Sequence, residues 1–176
     1  MDIGLLLIRV LLGAVLFTHG TQKAMGWFSG PGPEGATVLF DKLGQRPAKT
    51  KVWLAVWCEI AAAVSLTLGV ITPLGAAIAA GTMLAAGFSL SHLSGSFWNA
   101  AGGGEFPIVL AVLAAATGFT GPGRYSIDAL LPTVPWVGGG TASAITGVVV
   151  VAVALVAAAA PIVSTRRGRT NAIAAS

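Results

Sequence analysis

Residues 3–21 read IGLLLIRVLLGAVLFTHGT, an apolar run with one formal charge, Arg9. A helix rises about 1.5 Å per residue, and a bilayer core is about 30 Å thick. This run is therefore long enough to cross a membrane. Working outward, the pattern recurs. Residues 52–70 hold one charge, Glu59, and residues 74–93 hold none and close on His92. Residues 106–119 follow Glu105 and are shorter, and residues 142–163 are apolar apart from Ser and Thr. In lipid each backbone polar group must be paired within its own segment, so these runs are expected as helices. The sequence predicts an all-α fold: a polytopic transmembrane four-helix bundle plus a fifth, C-terminal transmembrane helix.

Composition agrees. Of 176 residues, 55% are hydrophobic and 9% charged, against about 25% charged in soluble domains. Mean hydropathy is +0.85. A soluble globular domain is excluded, and so is disorder, which needs low hydrophobicity and high net charge. The 24 glycines follow no G-X-Y period and suit closely packed membrane helices. One cysteine, Cys58, excludes an intrachain disulfide or dithiol relay; beside Glu59 in an apolar helix it reads as an inert core thiol.

The net charge of +4 does not read as nucleic-acid binding, and no nucleic-acid partner is expected. The basic residues form two clusters beside apolar runs: Lys23, Lys42, Arg46, Lys49 and Lys51, then Arg166, Arg167 and Arg169. Such clusters mark cytoplasmic loops. Four spans separate them, so both can lie on one side. The expected topology is a multi-pass plasma-membrane protein with the N-terminus outside and the C-terminus cytoplasmic. The first run does not read as a cleavable signal peptide: Arg9 interrupts it and no A-x-A site follows. Between the first two spans, Val38, Leu39, Phe40 and Leu43 are spaced for a short amphipathic helix on the membrane surface. The alternative is a loop tucked on the bundle.

Ionisable groups within a membrane need a partner or a function. Counting helix rise from the basic ends brings His19, Glu59, His92 and Glu105 to one level. Gln22 and Lys23 share the face of His19, and Trp98 falls nearby. The candidate ligand-binding set is Arg9, His19, Gln22, Lys23, Glu59, His92, Trp98 and Glu105. Arg9 has three options: pairing with Glu59, a ligand contact, or snorkelling outward to Asp128 or Asp2. Structural roles compete for the others. The histidines can donate to helix-end carbonyls, Lys23 or Arg9 can hold Glu59 as a strut, Glu105 can cap a helix, and Trp98 can anchor at the interface. No H-x-x-x-H or E-x-x-H pattern appears, so no metal is expected. His, Lys and Gln donors beside an apolar slot suit a quinone-type headgroup. No phosphate loop, dinucleotide fingerprint or hydrolase motif is present, so no catalytic residue and no autonomous enzymatic activity are expected.

Three stretches carry a resemblance: LLIRVLLGAVLFTHGTQKAMGWFSGPG at residues 6–32, CEI at 58–60, and GGGEFPIVLAVLAAATGFTGPGRYSIDALL at 102–131. Together with the spacing of four spans they resemble the DoxX family of bacterial membrane proteins, over about residues 3–131. The resemblance gives Arg9, His19, Gly20, Lys23, Glu59, Gly104, Glu105, Gly123, Arg124 and Asp128 as family-pattern positions. It implies a DoxX-like domain at 1–131, a linker and additional helix at 132–164, and a basic cytoplasmic tail at 165–176. It also implies an integral membrane subunit of a redox complex, linked to quinone, sulfur or oxidative-stress chemistry, with a quinone as the candidate cofactor. The fifth helix departs from the family pattern, and residues 142–163 are the expected contact with a membrane-protein partner. The other reading is a non-catalytic scaffold that stabilises a larger membrane assembly.

Overall fold

The computed structural model describes residues 1–131, 133–137 and 140–174. Among the described residues, six α-helices carry the fold: α1 Asp2–Met25, α2 Gly32–Lys42, α3 Ala48–Leu68, α4 Thr72–Ser94, α5 Glu105–Thr120 and α6 Gly140–Ala174. Short 3₁₀ turns at Asn99–Ala101 and Asp128–Leu130 complete it. Four of these helices are long and apolar enough to cross a membrane; α5, at 16 residues, is shorter and rises about 24 Å. The all-α bundle read from the sequence is the observed architecture. The chain is a multi-pass bundle of apolar helices.

Large apolar side chains point away from the bundle: Leu7, Leu11, Val112 and Val156 are all exposed. Small ones fill its centre. α4 contributes Ala76, Ala77, Ala79 and Ala80, all buried, and packs against α3, α5 and α6. That inversion suits lipid as solvent, where helix contacts rest on close approach of backbones. A Cβ on Gly104 would lie 1.9 Å from the Gly87 carbonyl oxygen, so α5 begins directly against α4. On the other side α1 lies along α3, and Gly13 leaves room for Thr67. α6 docks a narrow stripe, Val150, Ala154 and Ala158, onto α4 and α5.

The stretch between the first two spans is helical as α2, and it packs on α1 and α3. Ala36 is buried there, with Phe40 packed near Val52 and Val56. The helix expected at 142–163 is longer than expected and continues through Arg166 and Arg167, so the basic tail begins as part of α6. Gly138 and Gly139, which precede it, and the side chain of Arg169 lie outside the described residues. The two basic clusters meet at one end of the bundle. Ser164 Oγ donates to the Gly44 carbonyl at 2.8 Å, and Gln45 Nε2 donates to the Pro161 carbonyl at 2.7 Å. The bundle thus has a His19 end, carrying the basic segments, and an Asp128 end.

Gly13 gives a direct test of this packing. A Cβ there would lie 2.0 Å from Thr67 Oγ1 and 3.0 Å from the Ala63 carbonyl. Gly13→Val should lose about 1–3 kcal/mol through overpacking, read as a lower melting temperature in detergent. Gly4→Val, in open space on the same helix, should leave the melting temperature unchanged. Equal melting of both variants would contradict the α1–α3 contact.

Candidate functional site

The site starts from the close approach of α1 to α3. A Cβ on Gly20 would come within 2.8 Å of Ile60 Cδ1 and 3.6 Å of Glu59 Cβ. One turn further along α1, Lys23 Nζ reaches both carboxylate oxygens of Glu59, at 2.9 and 2.8 Å, and the His19 carbonyl at 3.2 Å. Glu59 is 2% exposed, and the Lys23 side chain is 19% exposed. Both oxygens of the buried carboxylate are therefore satisfied by one cation from the last turn of α1, where the helix dipole also favours positive charge.

This pair lies in the wall of a cavity of about 590 Å³. His19, Gln22 and Asn99 line it with the pair. Leu54, Ala55 and Cys58 of α3 form one side, and Thr82, Ala85, Ala86 and Ser89 of α4 another. Leu39, Phe40 and Leu43 close it from α2 and the turn that follows, and Ala157 and Pro161 border it from α6. Pro161 has no N–H, so the Ala157 carbonyl lacks its helical donor; both residues line the cavity. The size falls in the usual range for small-molecule sites, about 300–1,000 Å³. Polar groups, His19, Gln22, Lys23 and Glu59 among them, border a mostly apolar space, so it can orient an amphipathic molecule.

Four of the eight sequence-predicted residues come together here: His19, Gln22, Lys23 and Glu59. The His19 ring sits 6.1 Å from that of Phe106, against the start of α5. Gln22 Nε2 donates to the Phe28 carbonyl at 3.2 Å. Glu105 is not in the lining but supports it: its Oε2 accepts from the Asn99 amide at 3.0 Å. His92 points elsewhere, stacking on Phe88 with ring centroids 5.7 Å apart and bordering a separate cleft. Trp98 is 63% exposed and packs edge-on against Phe97.

Arg9 belongs to the opposite end of the bundle. It is 1% exposed and donates to the carbonyls of Tyr125 and Leu66. It points to the Asp128 end rather than to Glu59, but it stays buried, and its hydrogen bonds go to backbone carbonyls rather than to Asp128 or Asp2. A Cβ on Gly69, which has φ +65°, would collide with its Nη1. The same turn is fixed by Asp128, whose carboxylate accepts from the amides of Ile71 and Thr72 at 2.7 and 2.8 Å and from Trp136 Nε1 at 3.0 Å. Asp128 thereby caps the start of α4.

Thr82, Ser89, Asn99 and Gln45 line the cavity without having been singled out from the sequence. Thr82 and Ser89 are seven residues apart, with Ala85 and Ala86 between them. That small and polar stripe at helical spacing was a readable sign. Gln45 carried no such sign, because a loop residue's partner depends on tertiary contacts. Among the described residues, no three His, Cys, Asp or Glu side chains group to hold a metal ion.

The DoxX family model matches residues 4–92, half of the chain, and the chain belongs to the DoxX family, an integral membrane family linked to redox- and stress-related membrane proteins. The match spans α1 to α4 and includes His19, Lys23 and Glu59; the resemblance read from residues 93–131 lies beyond it. No curated protein and no solved structure matches the chain.

Removing one partner of a buried ion pair costs about 3–5 kcal/mol, whereas replacing both by apolar groups is far milder. Lys23→Met should therefore lower unfolding stability in detergent by that amount. Adding Glu59→Met should recover most of it. A neutral Lys23→Met would show that the pair does not clamp α1 to α3.

Proposed function

We propose that this DoxX-family chain is an integral membrane subunit of a redox complex, and that its His19-end cavity holds an amphipathic ligand of the quinone type. The observation that carries the reading is the cavity beside the Lys23–Glu59 pair. A bundle serving only as a strut would fill this space with side chains. Here a buried pair borders open volume, with His19 and Gln22 beside it. A quinone ring fits between Ala55, Ala85 and Ala86, its oxygens toward Lys23 and His19. On binding, Lys23 exchanges its contact with the His19 carbonyl for a quinone carbonyl oxygen, and Glu59 accepts from the hydroxyl of the reduced form. The chain's part is to bind and orient the head; electrons come from the rest of the complex. In this reading the N-terminus lies outside and the basic end faces the cytoplasm.

A second reading rests on α6. Its face carrying Ile145, Val148, Val149 and Val156 is exposed. A scaffold would dock a membrane-protein partner there. Its test is co-purification from native membranes after deletion of α6: a lost partner supports it, and an unchanged set of partners overturns it.

The sole cysteine supplies the test of the first reading, because Cys58 lines the cavity. A short-tailed benzoquinone added to the detergent-purified chain should slow Cys58 alkylation by N-ethylmaleimide, and it should quench tryptophan fluorescence saturably. His19→Ala should weaken binding of the benzoquinone about tenfold, the loss of one hydrogen bond, and Glu59→Gln should weaken binding of the corresponding hydroquinone by a similar factor. Ala86→Phe, which fills the cavity, should abolish binding. Absence of both protection and quenching in the wild type would refute the ligand.

A further inference from the structure

A second cleft lies at the same end of the bundle, between the α2–α3 turn and the last turns of α6. Its volume is about 1,000 Å³. Its cationic lining comes from three elements: Lys42 from α2, Arg46 from the turn and Arg167 from α6. One carboxylate, Asp41, opposes them, and it accepts from Arg46 Nε at 2.9 Å. Four further N–H donors of that guanidinium remain on the fork. Among the described residues, the ion pairs are Arg46–Asp41 and Lys23–Glu59, so Lys42 and Arg167 have no carboxylate. Beside the cleft, Arg166 lies 5.0 Å from the centre of the Phe88 ring and adds positive charge.

The hydroxyls of the lining are already occupied. Ser164 donates to the Gly44 carbonyl, and the Thr165 hydroxyl is bonded to Gln45 Nε2 at 2.8 Å and to Ser89 Oγ at 3.0 Å. What the cleft offers a ligand is positive charge. The lining also has an apolar part, Ala159, Ala160, Val163 and Leu93. This wall continues along a helix whose outward residues are exposed and apolar. A pair of glycines fixes the arrangement: a Cβ on Gly168 would come within 2.9 Å of Gly44 Cα. The turn therefore lies directly on α6, and that contact brings Arg46 toward Arg167.

We propose that this cleft binds an anionic phospholipid. Lys42, Arg46 and Arg167 hold the phosphate, and an acyl chain lies along Ala159, Ala160 and Val163. The charge selects an anion, and the apolar wall selects one that carries a hydrocarbon tail. Basic pockets between membrane helices recognise anionic headgroups on this physical basis. The proposal does not rest on the quinone reading, since its ligand and the residues that contact it are different.

The test is native mass spectrometry of the full chain released from detergent, titrated with phosphatidylglycerol or with phosphatidylcholine. Retention of phosphatidylglycerol over phosphatidylcholine is expected. Each cation is worth about fivefold in affinity at an anionic headgroup. Arg46→Gln with Arg167→Gln should therefore weaken retention by roughly 30-fold. Arg124→Gln, which removes the same kind of charge at the Asp128 end, should leave it unchanged. Inorganic phosphate at equal concentration should not displace the lipid. Equal retention of both lipids, retention that survives the double substitution, or displacement by phosphate alone would overturn the proposal.

Discussion

Glu59 cannot sit in the middle of an apolar bundle unless a cation reaches it, and this requirement sets the packing at the His19 end. A carboxylate moved from water to such surroundings loses several kcal/mol of hydration. Lys23 answers it with contacts to both oxygens. Lys23 can do so because Gly20 brings α1 against Ile60 and Glu59. The pair therefore ties the last turn of α1 to the middle of α3. With α1 held on one side, α3, α4 and α6 are left to bound a cavity that opens beside the pair.

The two ends of the bundle treat their charges differently. At the Asp128 end, Arg9 and Asp128 are spent on the backbone. Arg9 donates to carbonyls at the end of α3 and in the loop after α5, and Asp128 accepts from the first amides of α4. Those contacts join loops that would otherwise leave backbone groups unpaired in or near lipid. At the His19 end, the polar groups of His19, Gln22, Lys23 and Glu59 face a shared space. Charges that only stabilise a fold are normally closed on themselves. Charges that border a cavity are where local consistency yields to function.

Much of this was legible in the sequence. Segment length and apolarity gave the spans, and helix rise gave the shared level of His19, Lys23 and Glu59. What could not be read was the rotation of each helix about its own axis. Apolar residues run all round α4, and beyond the stripe of Thr82, Ala85, Ala86 and Ser89 its sequence does not say which way each side chain turns. His92 therefore reads as a neighbour of Glu59 by depth alone, yet it turns to Phe88 and the α6 side. Arg9 has the same ambiguity with a long side chain added: its head lies far from its Cα, and only the positions of Gly69 and Tyr125 decide its direction. The role of α2 as a cover was half legible. Its apolar spacing marked an amphipathic helix, but the surface it covers is made by α3 and α4, distant in sequence.

The turn between α2 and α3 then becomes the shared wall of the molecule. Leu43 lines both the cavity beside the Lys23–Glu59 pair and the basic cleft. Gln45, in the next turn position but one, lines the first and bonds Thr165, which lines the second. Buried hydrogen bonds run from that turn to α6 through Pro161 and Thr165, and on to α4 through Ser89. A wall held by a satisfied buried network does not shift on one side alone, because moving it strands polar groups away from water. The geometry of the cavity and that of the cleft are therefore one geometry, set where the first basic cluster meets the last.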